Sequence, residues 1–355
     1  MIEVRGLTKT TGTTTLVDHV SFSAHPGLVT AVLGPPESGK SLIAKLILGL
    51  AHPTYGEVTV NGRDHTTSPE PLRDVGAVLD VSTIHPSRTA RRHLEWVAAT
   101  ADIDGDRVSN VLDMVGLFHV ADRKVKTFTT GMVQRLALAT ALLGDPRALI
   151  LDEPGLGMNP AELNAIHALE RDLAASGRTV LLFSRVLSEV VAVCDHLVLL
   201  ARGRVLADAP LAEILRLTTG RATRVRSPQA TLIAATFAGP YVTVTPQGVG
   251  SIVLNGVGAD QVEAEAVRRG WTVWEIMPLD RSLDDVYNAL CDPGSDPYLY
   301  ESIVATGLVP EPGGPGAGAG AAGADRGGRD GYAPADPEAP SRAVSETPKR
   351  AGGML

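Results

Sequence analysis

Uninterrupted apolar runs recur through the first 216 residues, separated by stretches whose apolar positions return every three or four residues. Residues 28–33 (Leu-Val-Thr-Ala-Val-Leu), 148–151 and 179–183 are too short and too evenly apolar for surface helices, and read as strands buried on both faces. The stretches 42–50, 89–101, 132–143 and 161–174 carry the spacing of amphipathic helices. Residues 56–62 alternate and close on Asn61-Gly62, a hairpin-type turn. Residues 196–200 and 205–207 flank Arg202-Gly203-Arg204 as a second hairpin. Strands alternating with helices in this way predict an α/β layered domain.

From Ala222 the pattern shortens. Strands are predicted over 222–226, 241–245, 251–254 and 272–276, with helices over 229–237 and 260–269. The order β-α-β-β-α-β is that of a small split βαβ domain. A last helix is predicted over 283–290. Beyond Pro293 periodicity is lost, and 27 of the 45 residues from Glu311 to Leu355 are Gly, Ala or Pro. Such a segment buries too little surface to offset its ordering entropy, so it is expected to be disordered. The expected divisions are 1–216, 217–291 and 292–355.

A net charge of -8 disfavours nucleic acid as the main partner, because phosphate-backbone binding needs a basic face. Cys194 and Cys291 are too few and too far apart for a disulfide framework or a metal site, and fit a reducing compartment. The first residues, Met-Ile-Glu-Val-Arg-Gly, lack the features of a signal peptide, and no run of 18 apolar residues occurs. The expected location is cytoplasmic.

Residues 34–41 read Gly-Pro-Pro-Glu-Ser-Gly-Lys-Ser, the pattern G-x-x-x-x-G-K-[ST] between a predicted strand and a predicted helix. In that setting the backbone of Gly34, Pro35, Pro36, Glu37, Ser38, Gly39 and Leu42 would surround a polyphosphate. Lys40 would reach its terminal phosphates and the Ser41 hydroxyl would bind Mg²⁺. Residues 149–154 read Leu-Ile-Leu-Asp-Glu-Pro. Asp152, at the end of a buried strand, is a candidate Mg²⁺ ligand, and Glu153 a candidate base for an attacking water. ATP and Mg²⁺ are the implied ligands.

With these residues the chain resembles the ATP-binding subunit of an ABC transporter. The resemblance implies an α/β P-loop NTPase domain with a helical subdomain, here followed by the small α+β (ferredoxin-like) domain and the disordered tail. Phe128-Thr129-Thr130-Gly131-Met132-Val133-Gln134-Arg135 stands where the family has its signature loop. By that likeness Thr129, Gly131 and Met132 would cap the γ-phosphate of ATP held by a second subunit, in a head-to-tail homodimer or heterodimer. Gly157-Met158-Asn159-Pro160 resembles the D-loop, with Asn159 in place of aspartate. Asp80 stands where the Q-loop glutamine is usual, and Arg185 where the switch histidine is usual. The resemblance makes Asp80 a metal-shell candidate and Arg185 a catalytic one. Thr10 and Thr11 occupy the region that normally offers an aromatic ring to adenine.

Residues 282–287 and 85–94 resemble the single-domain ATPases of ABC-2 type exporters, including antibiotic self-resistance pumps. That likeness implies a separate ABC-2 type membrane permease as partner and a peripheral position on the inner face of the membrane. With Lys40, Ser41, Asp152 and Glu153 intact but two sensor positions replaced, ATP binding with slow hydrolysis is expected. The alternative is a degenerate nucleotide-binding subunit that regulates a competent partner ATPase. An ATPase acting on ribosomes or DNA ranks below both.

Overall fold

The computed structural model describes residues 1–79, 81, 84–218, 222–239, 242–279, 283–292 and 304. The chain begins with β1 (Ile2–Thr11) and β2 (Thr14–Ala24), an antiparallel pair joined on the other side of β1 by β4 (Tyr55–Val60). Between them come β3 (Val29–Leu33) and α1 (Lys40–Ile47). Asn61 and Gly62 both take positive φ (52° and 78°), as a hairpin-type turn requires. The short α2 (Pro71–Asp74) leads into β5 (Val75–Val78).

Three helices follow: α3 (Ala90–Thr100), capped by the Thr89 hydroxyl, α4 (Gly105–Met114) and α5 (Thr130–Leu142). Then β6 (Ala148–Asp152), α6 (Pro160–Ala175), β7 (Thr179–Ser184), α7 (Leu187–Val193), β8 (His196–Ala201), β9 (Arg204–Pro210) and α8 (Leu211–Thr218) complete the α/β part.

The main sheet runs β5-β6-β7-β3-β8-β9, parallel except for the closing β8–β9 hairpin. Residues of β3, β6 and β7 are buried throughout, as their unbroken apolar runs predict. One face of this sheet packs with α3 to α8 around Leu33, Leu151, Leu182 and Leu199. The other face packs with α1 and the β1-β2-β4 sheet around Ile2, Leu7, Ile43 and Phe183.

The second sheet runs β11-β12-β10-β13, all antiparallel, from β10 (Ala222–Arg226), β11 (Thr243–Pro246), β12 (Ser251–Asn255) and β13 (Glu275–Leu279). The helices α9 (Ala230–Phe237) and α10 (Ala259–Arg269) share a separate core with it, built on Val225, Ile233, Leu254 and Val262. This is the split βαβ order expected. Its last strand, expected at 272–276, lies three residues later at Glu275–Leu279. Pairing with β10 fixes that register, and Pro278 is tolerated because β13 is an edge strand.

The final helix, α11 (Leu283–Cys291), returns to the first core. Val286, Ala289 and Leu290 are at most 1% exposed and belong to the cluster that includes Leu33, Val190 and Ile214. Among the described residues no helix is long and apolar enough to cross a membrane. The expected tail, 292–355, lies outside the described residues apart from Asp292 and Val304.

Candidate nucleotide site

The loop after β3 is shaped by what its neighbours exclude. A Cβ on Gly34 would lie 2.2 Å from the Leu200 carbonyl oxygen and 2.7 Å from Ser38 Oγ, so only glycine fits where the chain passes the end of β8. Gly39 takes φ +100° immediately before α1, and Glu37 also lies in the left-handed region at φ 64°. Ser38 is buried, while Pro36, Glu37 and Ser41 face outward. Lys40 is 7% exposed, and its Nζ donates to the carbonyls of Gly34 (2.7 Å) and Pro35 (2.9 Å) and to Ser38 Oγ (3.3 Å). Burial lowers its pKa, while Glu153 and Asp152 pull it back up. The ammonium therefore closes the loop's concave side with bonds that phosphate oxygens would replace more strongly. The structure thus places Lys40 against the inside of the loop and Ser41 on its outer side.

β6 ends on Asp152, opposite Phe183 of β7. Burial raises the Asp152 pKa, with a Ser41 hydrogen bond and the charges of Lys40 and Lys45 opposing it. Its buried Oδ1 has no hydrogen-bond partner. A buried carboxylate oxygen left open beside Ser41 and Lys40 suits a hard cation. Among the described residues no group of three His, Cys, Asp or Glu could hold a metal alone. Mg²⁺ bound chiefly through phosphate oxygens needs only Ser41 and Asp152 from the protein, and these fit it.

Glu153 adopts φ 50°, a left-handed conformation costing a non-glycine residue about 1–3 kcal/mol. Its backbone is held from three sides. Its N–H donates to Phe183 O (2.9 Å), and its carbonyl accepts from Leu156 N–H (3.2 Å) and Gln134 Nε2 (3.1 Å). Burial raises the Glu153 pKa, opposed first by Arg185 and then by Lys40. Arg185, after β7, brings Nε to 4.0 Å from Glu153 Oε1, with side chains 54% and 27% exposed. The replacement of the switch position is thus aimed at the candidate base.

The other candidates form a second cluster. The Thr129 hydroxyl accepts from Met132 N–H (3.2 Å) and caps α5. A Cβ on Gly131 would lie 3.0 Å from Glu162 Oε2 and 3.1 Å from Gly157 O, so the signature and D-loop segments pack within one chain. Asn159 caps α6: its Oδ1 accepts from Ala161 and Glu162 N–H (both 3.0 Å), and Glu162 Oε2 accepts from Asn159 N–H (3.1 Å). Glu162 also pairs with Arg135 at 2.8 Å. Gln134 joins the two clusters through Glu153. Asp80 lies outside the described residues. Thr10 bonds Thr54 (Oγ1 to Oγ1 3.1 Å) on the outer β-sheet.

Sequence reasoning missed Gln134 and Glu162 as links, although both sit within or beside the quoted motifs. It also missed Glu170, fully buried on α6 with neither carboxylate oxygen hydrogen-bonded. The available signal was its spacing: Ile166, Glu170 and Leu173 share one face of the helix, and only Glu170 is charged.

Residues 17–155 match the family model described as ABC transporter. An uncharacterised ABC transporter ATP-binding protein of Bacillus subtilis, YdbJ, is 29% identical over 290 residues, which cover 81% of this chain and 94% of that protein. The Nod factor export ATP-binding protein I of Burkholderia orbicola is 33% identical, over 58% of this chain and 70% of its own length. A solved ATP-binding subunit of an ABC transporter superposes with a TM-score of 0.55 at 27% identity, covering 61% of this chain and 92% of that one. With its P-loop, acidic strand end and capped signature helix in the geometry described, the chain belongs to the ABC transporter family as an ATP-binding ATPase.

Proposed function

We propose that this chain is the ATP-hydrolysing subunit of an exporter, working as a head-to-tail dimer on a separate ABC-2 type membrane permease. The observation that carries this reading is the convergence of Lys40, which opens α1 after β3, with Asp152 and Glu153 at the end of β6, two parallel strands separated by β7, with Lys40 and Asp152 buried. The relative named for Nod factor export supports the export direction. Residues 1–216 are the ATP-binding domain in this reading and 222–279 the small α+β unit; α11, expected with that unit up to residue 291, packs instead on the first core.

In this reading the loop 34–42 holds the phosphates of ATP. Lys40 exchanges its carbonyl partners for the β- and γ-phosphates. Ser41 and Asp152, with Asp80 as a further candidate, would hold Mg²⁺, which would neutralise phosphate charge. Glu153 orients a water in line with the γ-phosphorus and accepts its proton as the bond to the leaving oxygen breaks. In this reading the exposed Thr129 at the N-terminus of α5 would meet the nucleotide of the other subunit, while Gly131, buried against the D-loop of its own chain, and Met132, partly packed on the core, would shape that terminus; the D-loop carrying Asn159 would line the same junction.

Arg185 slows this step. A guanidinium stays charged at any accessible pH, and paired with Glu153 it holds the base ionised but less basic and less free to meet water. The 4.0 Å separation also favours the second reading, a weakly hydrolysing subunit that regulates a competent partner. Steady-state ATPase of the purified chain, with and without Arg185→His, tests both. A slow wild-type rate that rises with the substitution is expected. A brisk wild-type rate abolished by it would make Arg185 a working catalytic group and overturn the slow-turnover reading.

A further inference from the structure

One face of the region around α3 carries a charge opposite to that of the chain. Residues 85–96 and 118–126 hold six Lys or Arg against two acidic residues, in a protein whose net charge is -8. A short antiparallel ladder brings the two segments together. Val125 N–H donates to Arg88 O and Lys126 N–H to Pro86 O (both 2.9 Å), Arg91 N–H donates to Ala121 O (2.9 Å), and Thr89 lies opposite Lys124. One of the two acidic residues is already engaged, since Asp122 pairs with Arg91 at 3.2 Å. Among the described residues the exposed Arg92, Lys124 and Lys126 have no acidic partner. Like charges gathered in this way repel one another, and an anionic partner relieves that repulsion.

Aromatic rings stand among these cations. Trp96 is 53% exposed and Phe118 50%, in a chain with only three Trp and five Phe. The Arg88 guanidinium lies 4.5 Å from the centre of the Trp96 ring, and that of Arg91 5.7 Å from the centre of Phe118. On α3, Arg92 and Trp96 are one turn apart on the outer side, while Ala90, Leu94 and Ala98 enter the core. Half-exposed rings paired with guanidinium groups are apolar and cationic at once, the combination that settles at the headgroup level of a bilayer.

We propose that this face binds an anionic lipid surface directly, so that the chain holds to a membrane through its own side chains. This goes beyond the function proposed above and does not depend on ATP turnover. The rings decide the class of partner. Among lipid headgroups the cations meet phosphate while Trp96 and Phe118 reach apolar acyl carbon, whereas a soluble acidic peptide would use the cations alone.

The test is cosedimentation of the full chain, without nucleotide, with vesicles of phosphatidylcholine and with vesicles of equal parts phosphatidylcholine and phosphatidylglycerol. Binding is expected only to the anionic vesicles, weakening as salt is raised. K124Q/K126Q should weaken it about 25-fold, at about fivefold for each cation removed. R268Q/R269Q removes two cations from α10, where Glu265 pairs with both, and should change it by less than about twofold.

A second readout leaves every charge in place: tryptophan emission should shift to the blue on anionic vesicles, and Trp96→Phe should remove the shift while the protein still binds. No preference for the anionic vesicles, an equal loss in both double variants, or a blue shift that survives Trp96→Phe overturns the proposal. So does capture of the wild type by polyglutamate or a DNA duplex while anionic vesicles stay unbound, which would give the face to an acidic protein segment or a nucleic acid instead.

Discussion

Glu170 makes the stability of this protein depend on pH in a direction opposite to that of most carboxylates. It is fully buried, neither oxygen is hydrogen-bonded, and Glu189 faces it. Burial first, and Glu189 second, push its pKa up from the ordinary 4.5 to about 8. Between those two values the folded chain keeps a proton that the unfolded chain releases. Stability therefore falls as pH rises through the window, and the loss is complete above pH 8. At about 1.4 kcal/mol per pH unit, the penalty grows from roughly 1 kcal/mol at pH 5 to roughly 3 at pH 7.

Glu170→Leu removes the titration and extends the apolar stripe of Ile166 and Leu173. Its advantage over wild type should widen by about 2–3 kcal/mol between pH 5 and pH 7. At about 2–4 °C per kcal/mol, that is about 5–10 °C in Tm. Scanning calorimetry of both proteins at pH 5, 6, 7 and 8 measures it, with Glu170→Gln as a second non-titrating control. Parallel Tm curves for wild type and Glu170→Leu would refute the reasoning, because they would mean that Glu170 ionises alike in both states.

Two further substitutions probe the nucleotide site. Thr129→Ala removes the cap of α5, costing about 1 kcal/mol in urea unfolding, and should cut ATPase at least about tenfold while Thr129→Ser retains both; full turnover in the alanine variant would remove the hydroxyl from the site. Gly34→Ala drives a methyl to 2.2 Å from the Leu200 carbonyl. It should abolish binding of a fluorescent ATP analogue at a cost of about 3 kcal/mol or more in stability, and unaltered binding would show that the loop yields there.

Most of the site was legible because its chemistry is local. The backbone of 34–41 and the strand end at Asp152 are each written in a few consecutive residues, and the α/β sheet follows from the unbroken apolar runs of β3, β6 and β7. What escaped notice is set by distant partners. The helix after the P-loop, expected over 42–50, starts at Lys40 and ends at Ile47, because Gly49 turns left-handed (φ +68°) and Leu50 faces solvent. β13 slid three residues because β10 sets its register. The left-handed Glu153 depends on Phe183 and Gln134, which no short window around residue 153 contains.

The returning helix α11 gives the α+β unit two points of attachment instead of one. The chain leaves the nucleotide-binding core through α8 and re-enters it through α11, whose last residue, Cys291, is close enough to Lys40 that each affects the other's ionisation. Topologically the unit is a loop drawn out of one core, not a bead on a tether. A force or ligand acting on it would be delivered through α11 to Leu290 and its neighbours, near Lys40. A C-terminal truncation before α11 would expose the apolar seat of Val286, Ala289 and Leu290, and should therefore lower the melting temperature of the first core as well.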